Sequence, residues 1–268
     1  MLSDDQIERF SRQIILPEIG ARGQQRLLES GVVFVGLTAA VSTALAYLAA
    51  AGVGEIGIAD DGVVGDPDAP LAFCAADRGQ PRSGPAARLV TTLHPDGRAA
   101  AFADPADALA SRPWDVAILD GAPAAAAYNR SIIDARIPGI VLSATARRAW
   151  AAGLAGHRTD APCWCCGDWA PWPEPPAGTG KSAAAPSALG GVVGSIVAVE
   201  AVKILLGIGT PIIGRLVTWE SGGPAVRVAD LDKAAHCTAC ASSAETPAQG
   251  GRRAAVQPPT RMGMNSKL

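Results

Sequence analysis

Apolar residues run unbroken through Val32–Val35, Gly36 follows, and an Ala- and Leu-rich stretch then continues to Val53. This pattern predicts a buried strand, a sharp turn and a long apolar helix. Upstream, Ser3 followed by Asp4, Asp5 and Glu8 reads as an N-cap with acids in the first helical turn, and Ile7, Phe10 and Ile14 supply a helical apolar stripe. Pro17 or Gly20 ends that helix, and a second, about Gln24–Glu29, leads into the strand. Downstream, Gly52-Val53-Gly54 stops the apolar helix, and Ile56–Ala59 forms a second strand that ends at Asp60. Strand, helix and strand in this order open a nucleotide-binding sheet. Further strands are predicted at Val116–Leu119, followed by Asp120-Gly121, and, after another helix, at Gly139–Ser143.

Beyond Thr145 the period changes. Trp150–Leu154, Ile213–Trp219 and Ala225–Val228 read as short strands, the last two a hairpin around Ser221-Gly222-Gly223, so antiparallel members extend the sheet. Val192–Leu206 is an apolar helix closed by Gly207. Asp61–Arg82 is rich in Pro, Asp and Gly and reads as a long loop over the carboxyl edge of the sheet, whereas Pro171–Pro186 reads as an exposed excursion. Residues 242–268 carry no apolar period and are expected to be a disordered tail behind one domain spanning 1–241. The fold class is α/β: a Rossmann-like, doubly wound, mainly parallel sheet extended by antiparallel strands, with N-terminal helices.

A chain of 268 residues with net charge −2 and interspersed signs has no basic stripe, which argues against nucleic acid as a partner. The uncharged run Gly31–Gly54 reaches the ~20 residues that cross a bilayer. Gly36, Thr38, Ser42 and Thr43 interrupt it, so a strand and a buried helix explain it better than a membrane span. The polar N-terminus lacks the apolar core of a signal peptide, and the expectation is a cytoplasmic protein.

Six cysteines change the picture further. Four form two C-x-x-C pairs, Cys163/Cys166 and Cys237/Cys240, the spacing with which a zinc knuckle places two thiolates on one side of a tetrahedral ion. Four sulfurs fill the coordination sphere, so zinc here would be structural and tie the loop near 163 to the C-terminal segment; buried free thiols, redox pairs and disulfides are the alternatives. Cys165 is an alternative to Cys166 by register, and Cys74 is a single cysteine in the long loop, either structural or a substrate-facing nucleophile. At the first turn, the G-x-G-x-x-G pattern that lets backbone approach a phosphate is reduced to Gly36, with Thr38, Ala39 and Val41 in the remaining places. Gly180-Lys181-Ser182 mimics the end of a P-loop, but Pro175 stands where its first glycine belongs and no strand precedes it.

The segments SRQIILPEIG (11–20), VVFVGL (32–37), AYLAAAGVGEIGIAD (46–60), GQPR (79–82), PCWCC (162–166), GVVGSIVAVEAVKILLGIG (191–209) and HCTAC (236–240) resemble the ThiF/MoeB/HesA family of ubiquitin-activating-enzyme-like adenylyltransferases. The resemblance runs in order from about residue 2 to 241. It implies a dimer, either of identical chains or with an intact family member. Such a dimer uses Mg-ATP to adenylate the C-terminal glycine of a ubiquitin-like sulfur carrier protein or a peptide. The reaction needs a metal and cations to neutralise the triphosphate while a carboxylate attacks the α-phosphorus.

Carried over by residue, the resemblance makes Asp60 the acid for the ATP ribose, with Asp61 the alternative if the register slips by one. Gly36 is the remaining glycine of the phosphate turn. The crossing-loop asparagine and arginine fall near Asp68 and Leu71, or on Pro67 and Pro70, which removes a phosphate-binding cation in either register. The lysine of the GQPK segment is Arg82, still cationic but a planar fork. The magnesium-holding aspartate falls on Pro123; Asp120, three residues upstream, is either a displaced magnesium ligand or an N-cap or loop anchor. Near Gly180, where some members carry a cysteine, no thioester nucleophile is found. Arg12 corresponds to an arginine that crosses the dimer to the partner's ATP; the alternative is an exposed helix charge. These losses favour a catalytically degenerate subunit or carrier-binding scaffold with structural zinc. The alternative is an atypical adenylyltransferase that binds ATP and Mg through Asp60, Arg82, Asp120 and Arg12.

Overall fold

Ser3 accepts the Gln6 N–H at 3.2 Å while Gln6 Oε1 accepts the Ser3 N–H at 3.1 Å, a reciprocal cap that starts α1 (Asp4–Ile14) where the sequence predicts. The computed structural model describes residues 1–65, 72–145, 147–167, 188–220, 222 and 226–241. The expected excursion at 171–186, the P-loop mimic at 180–182, the crossing-loop positions 67, 68, 70 and 71, and the tail at 242–268 lie outside the described residues, as does most of the 221–223 turn.

After α2 (Gly20–Glu29) come β1 (Gly31–Val35), α3 (Ala39–Ala50), β2 (Glu55–Ala59), α4 (Ser83–Leu93) and β3 (Arg98–Phe102). Then follow α5 (Pro105–Ala110), β4 (Val116–Asp120), α6 (Gly121–Asp134), β5 (Gly139–Ala144) and β6 (Arg148–Leu154). The chain continues through α7 (Ala188–Leu206), β7 (Arg215–Glu220) and β8 (Val226–Asp230). One sheet of eight strands has the order β3-β2-β1-β4-β5-β6-β7-β8. The first five run parallel and the last three antiparallel, as the change of period after Thr145 predicts.

Three differences from the sequence reading have local causes. Strand β3 is an edge strand of sequence RAAAF, without the β-branched residues that mark a strand, and it exists through its register with β2. Helices α4 and α5, in the stretch before β4 where the pattern gives no firm element, cover β3 and β2. Helix α2 starts at Gly20, earlier than expected, because this glycine takes φ +58° at the turn after α1.

Alternate strand residues face opposite layers. Val32, Phe34, Ile56, Ile58 and Ile118 join a core with α3, α4 and α7, while Val33, Ala117, Leu119 and Val141 join one with α5 and α6. Helix α7 is long and apolar enough to cross a membrane by length and composition, yet its Val193, Gly194, Val197 and Ala201 side is buried in this core. A Cβ on Gly194 would lie 2.2 Å from the Ala40 carbonyl oxygen, so glycine is what lets α7 touch the first turn of α3. Helices α1 and α2 pack at the other end of α3, where Phe10 meets Gly52 and the ring of His94 at 5.8 Å.

Candidate functional site

From β1 the sheet proceeds through β2 in one direction and β4 in the other, so a crevice opens at the carboxyl ends of β1 and β4. Ligands of open α/β sheets bind at such a reversal, with an anion on the following helix N-terminus. Here the anion comes from the chain itself. Asp120 Oδ2 accepts the Thr38 backbone N–H at 3.0 Å, and Asp120 Oδ1 accepts the Thr38 hydroxyl at 3.1 Å. Thr38 is the N-cap residue of α3, but its hydroxyl serves Asp120 and makes no bond to its own helix. Asp120 likewise precedes α6 without capping it through its side chain. The negative carboxylate thus lies at the positive end of α3. Gly36 adopts φ +88°, and a Cβ there would lie 2.5 Å from Asp120 Cβ. The glycine admits the aspartate.

The neighbouring acid is Asp60, just past β2 and 8% exposed. It accepts the Gly62 N–H at 2.8 Å and lies 3.8 Å from Arg82 Nη1. Burial raises its pKa above the usual carboxylate value, outweighing the Gly62 hydrogen bond and the Arg82 charge. Arg82 reaches it because residues 62–64 pair with 79–82: the Val64 N–H donates to Gln80 O at 2.9 Å and the Arg82 N–H to Gly62 O at 3.0 Å. Asp61, the register alternative, is exposed. Pro123 lies in the first turn of α6, a place where proline needs no amide hydrogen. Arg12 is exposed on α1 at the opposite end of α3, so the fold gathers Gly36, Asp60, Arg82 and Asp120 but leaves Arg12 apart.

On the far side of α6 the cysteine pairs converge. Cys163 Sγ lies 3.6 Å from Cys237 Sγ and 3.8 Å from Cys166 Sγ, and Cys166 Sγ lies 3.5 Å from Cys240 Sγ. All four sulfurs fall within 4.8 Å of one another. Four ligands at about 2.3 Å from one ion stand about 3.8 Å apart on a tetrahedron, so this donor set fits a zinc-sized ion, and the separations are too long for disulfides. Among the described residues it is the group of metal-ligating side chains close enough to hold an ion. The first pair sits on a 3-10 turn, Trp164–Cys166, which turns the Cys166 sulfur back to the Cys163 N–H at 3.3 Å. Burial pushes the Cys163 and Cys240 thiols up, the latter to about 11. At Cys237 burial is outweighed by the N–H groups of Ala239 and Cys240, and the thiol falls to about 7.

The grouped sulfurs include Cys166, whereas Cys165 is exposed and lies outside the group. Cys74 is also exposed; its backbone N–H donates to Asp77 Oδ2 at 2.8 Å. The sequence reading missed two participants. Thr38 becomes visible only through its contact with Asp120, 82 residues away. Asn129 carries no spacing signal, yet its Oδ1 accepts the Trp164 N–H at 2.9 Å beside the sulfurs.

A family model described as "ThiF family" matches residues 10–240. The chain is 31% identical over 250 residues to a sulfur carrier protein adenylyltransferase of Thermus thermophilus, covering 88% of this chain and 91% of that one. It is 34% identical over 233 residues to a SAMP-activating enzyme E1 of Haloferax volcanii, covering 82% and 83%. A crystal structure of Escherichia coli MccB with MccA-N7isoASN superposes with a TM-score of 0.72 at 16% identity over 87% of this chain and 74% of that chain, a likeness of fold.

Proposed function

The chain belongs to the ThiF family, and from that premise we propose that it handles the C-terminus of a ubiquitin-like sulfur carrier protein or peptide as a subunit whose own ATP chemistry is degenerate. The two relatives named above align over 91% and 83% of their length, which supports a carrier protein as substrate class. The observation that carries the degenerate reading is Asp120 on the N-terminus of α3. A triphosphate entering the crevice would place its charge against this carboxylate, with Arg82 the gathered cation, paired to Asp60, the acid that the resemblance gives to the ribose. Forming an acyl-adenylate requires the reverse balance, donors and cations around a polyanion. Arg12, exposed on α1, is in this reading the cation lent across a dimer to an intact family member.

The cysteines fit zinc. Cys163, Cys166, Cys237 and Cys240 would hold it, and a full set of four thiolates leaves no position for a reactive water, so the ion would supply a cross-link. The residues 163–166 and 237–240 are thereby fixed to one another.

One observation favours a second reading, an atypical adenylyltransferase: the Asp60–Arg82 pair persists at the carboxyl edge. ATP–pyrophosphate exchange separates the two. The purified chain, offered carrier proteins ending in Gly-Gly, is expected to show no exchange until an intact family member is added. Robust carrier-dependent exchange by this chain alone would establish the second reading.

A further inference from the structure

Asn129 is 7% exposed on the face of α6 that meets the cysteine turn. The Trp164 N–H, a donor, fixes the orientation of its amide, because only Oδ1 accepts that bond, at 2.9 Å. Nδ2 is therefore directed at two sulfurs, Cys165 Sγ at 3.2 Å and Cys163 Sγ at 3.7 Å. One is a member of the four-sulfur cluster and the other is the exposed bystander.

We infer that Asn129 is the positioning residue of the metal centre, giving one amide hydrogen to the Cys163 sulfur and using the other to hold Cys165 outside the ligand set. The inference rests on the reading of the four cysteines as a zinc site. A dication with four thiolates carries excess negative charge on sulfur, and a directed N–H from a buried amide draws part of it off while fixing the ligand's rotamer. The Trp164 bond holds the turn in register, so the same side chain sets both the backbone and the sulfur.

The full chain loaded with Zn²⁺ tests this through zinc transfer to a colorimetric chelator and, after exchange, through the sulfur-to-metal charge-transfer bands of Co²⁺. Asn129→Asp keeps an acceptor for the Trp164 N–H but removes the donor and places negative charge at the sulfurs. Its zinc is expected to transfer at least ~10-fold more readily, with shifted Co²⁺ bands. Asn129→Ala, read in the same two ways, serves if the Asp variant does not fold. Cys165→Ser is expected to retain one zinc per chain. Wild-type retention and unshifted bands in Asn129→Asp or Asn129→Ala would overturn the inference alone, as would loss of zinc in Cys165→Ser. A wild-type chain that holds no zinc would overturn the metal reading and this inference with it.

Discussion

Helix α6 joins two sites that differ in what satisfies them. At its N-terminus Asp120 makes no side-chain cap to α6 and instead accepts the backbone N–H and hydroxyl of Thr38, the N-cap residue of α3. Along its flank Asn129 braces a cluster of four thiols whose spacing suits an ion from outside. One arrangement sets a carboxylate beside the N-terminal end of α3, and the other gathers four sulfurs within 4.8 Å of one another. The first is satisfied by the chain itself, whereas the second has the spacing to be completed by a metal ion. Under the proposed degenerate reading, this is how a chain keeps the frame of a nucleotide-binding sheet while its phosphate position is taken.

The largest effect expected from breaking this comparison comes at the metal. Cys237→Ser should abolish zinc retention and cost on the order of 4 kcal/mol, about 10 °C in melting temperature, checked by metal analysis and calorimetry on the same sample. An unchanged melting temperature would place the centre outside the folded core's energetics.

A smaller effect is expected where Gly36 admits Asp120. Gly36→Ala forces a side chain to φ +88° and 2.5 Å from Asp120 Cβ, which should cost about 2–3 kcal/mol in denaturant unfolding. Adding Asp120→Gly should restore part of that loss, because the contact at the Asp120 Cβ disappears while the backbone strain at residue 36 remains. Strict additivity of the two substitutions would mean that they do not share the site.

The smallest effect is a pH dependence at Asp60. Its folded pKa is raised above 3.8 by burial, so the protonated form is favoured on folding. The stability this contributes is fully present below pH 3.8 and is lost as pH rises through the folded value. Asp60→Asn, which still accepts the Gly62 N–H, should therefore be more stable than the parent at pH 7, with the advantage shrinking toward pH 4. A variant less stable than the parent at pH 7 would mean that Arg82 outweighs burial.

Local periodicity made β1, the Gly36 turn, α3 and the antiparallel extension legible in the sequence, because each element carries its own pattern over five or more residues. Strand β3 was not legible, since an Ala run takes its conformation from β2. The cysteine cluster was legible because two i, i+3 pairs supply four sulfurs with the spacing of a tetrahedral site. The role of Asp120 was not. Its bonds to Thr38 come from 82 residues away, and such a contact leaves no local trace. Asn129 was hidden for a related reason: a polar residue within a helix shows nothing of the sulfurs it faces.

Equilibrium binding of Mg-ATP to the parent chain and to Asp120→Asn, side by side by titration calorimetry, tests the central claim most directly. If the carboxylate occupies the phosphate position, neutralising it should tighten Mg-ATP binding by about 10-fold, equivalent to ~1.4 kcal/mol. If Asp120 instead holds magnesium, the same substitution should weaken binding, and that result would contradict the account.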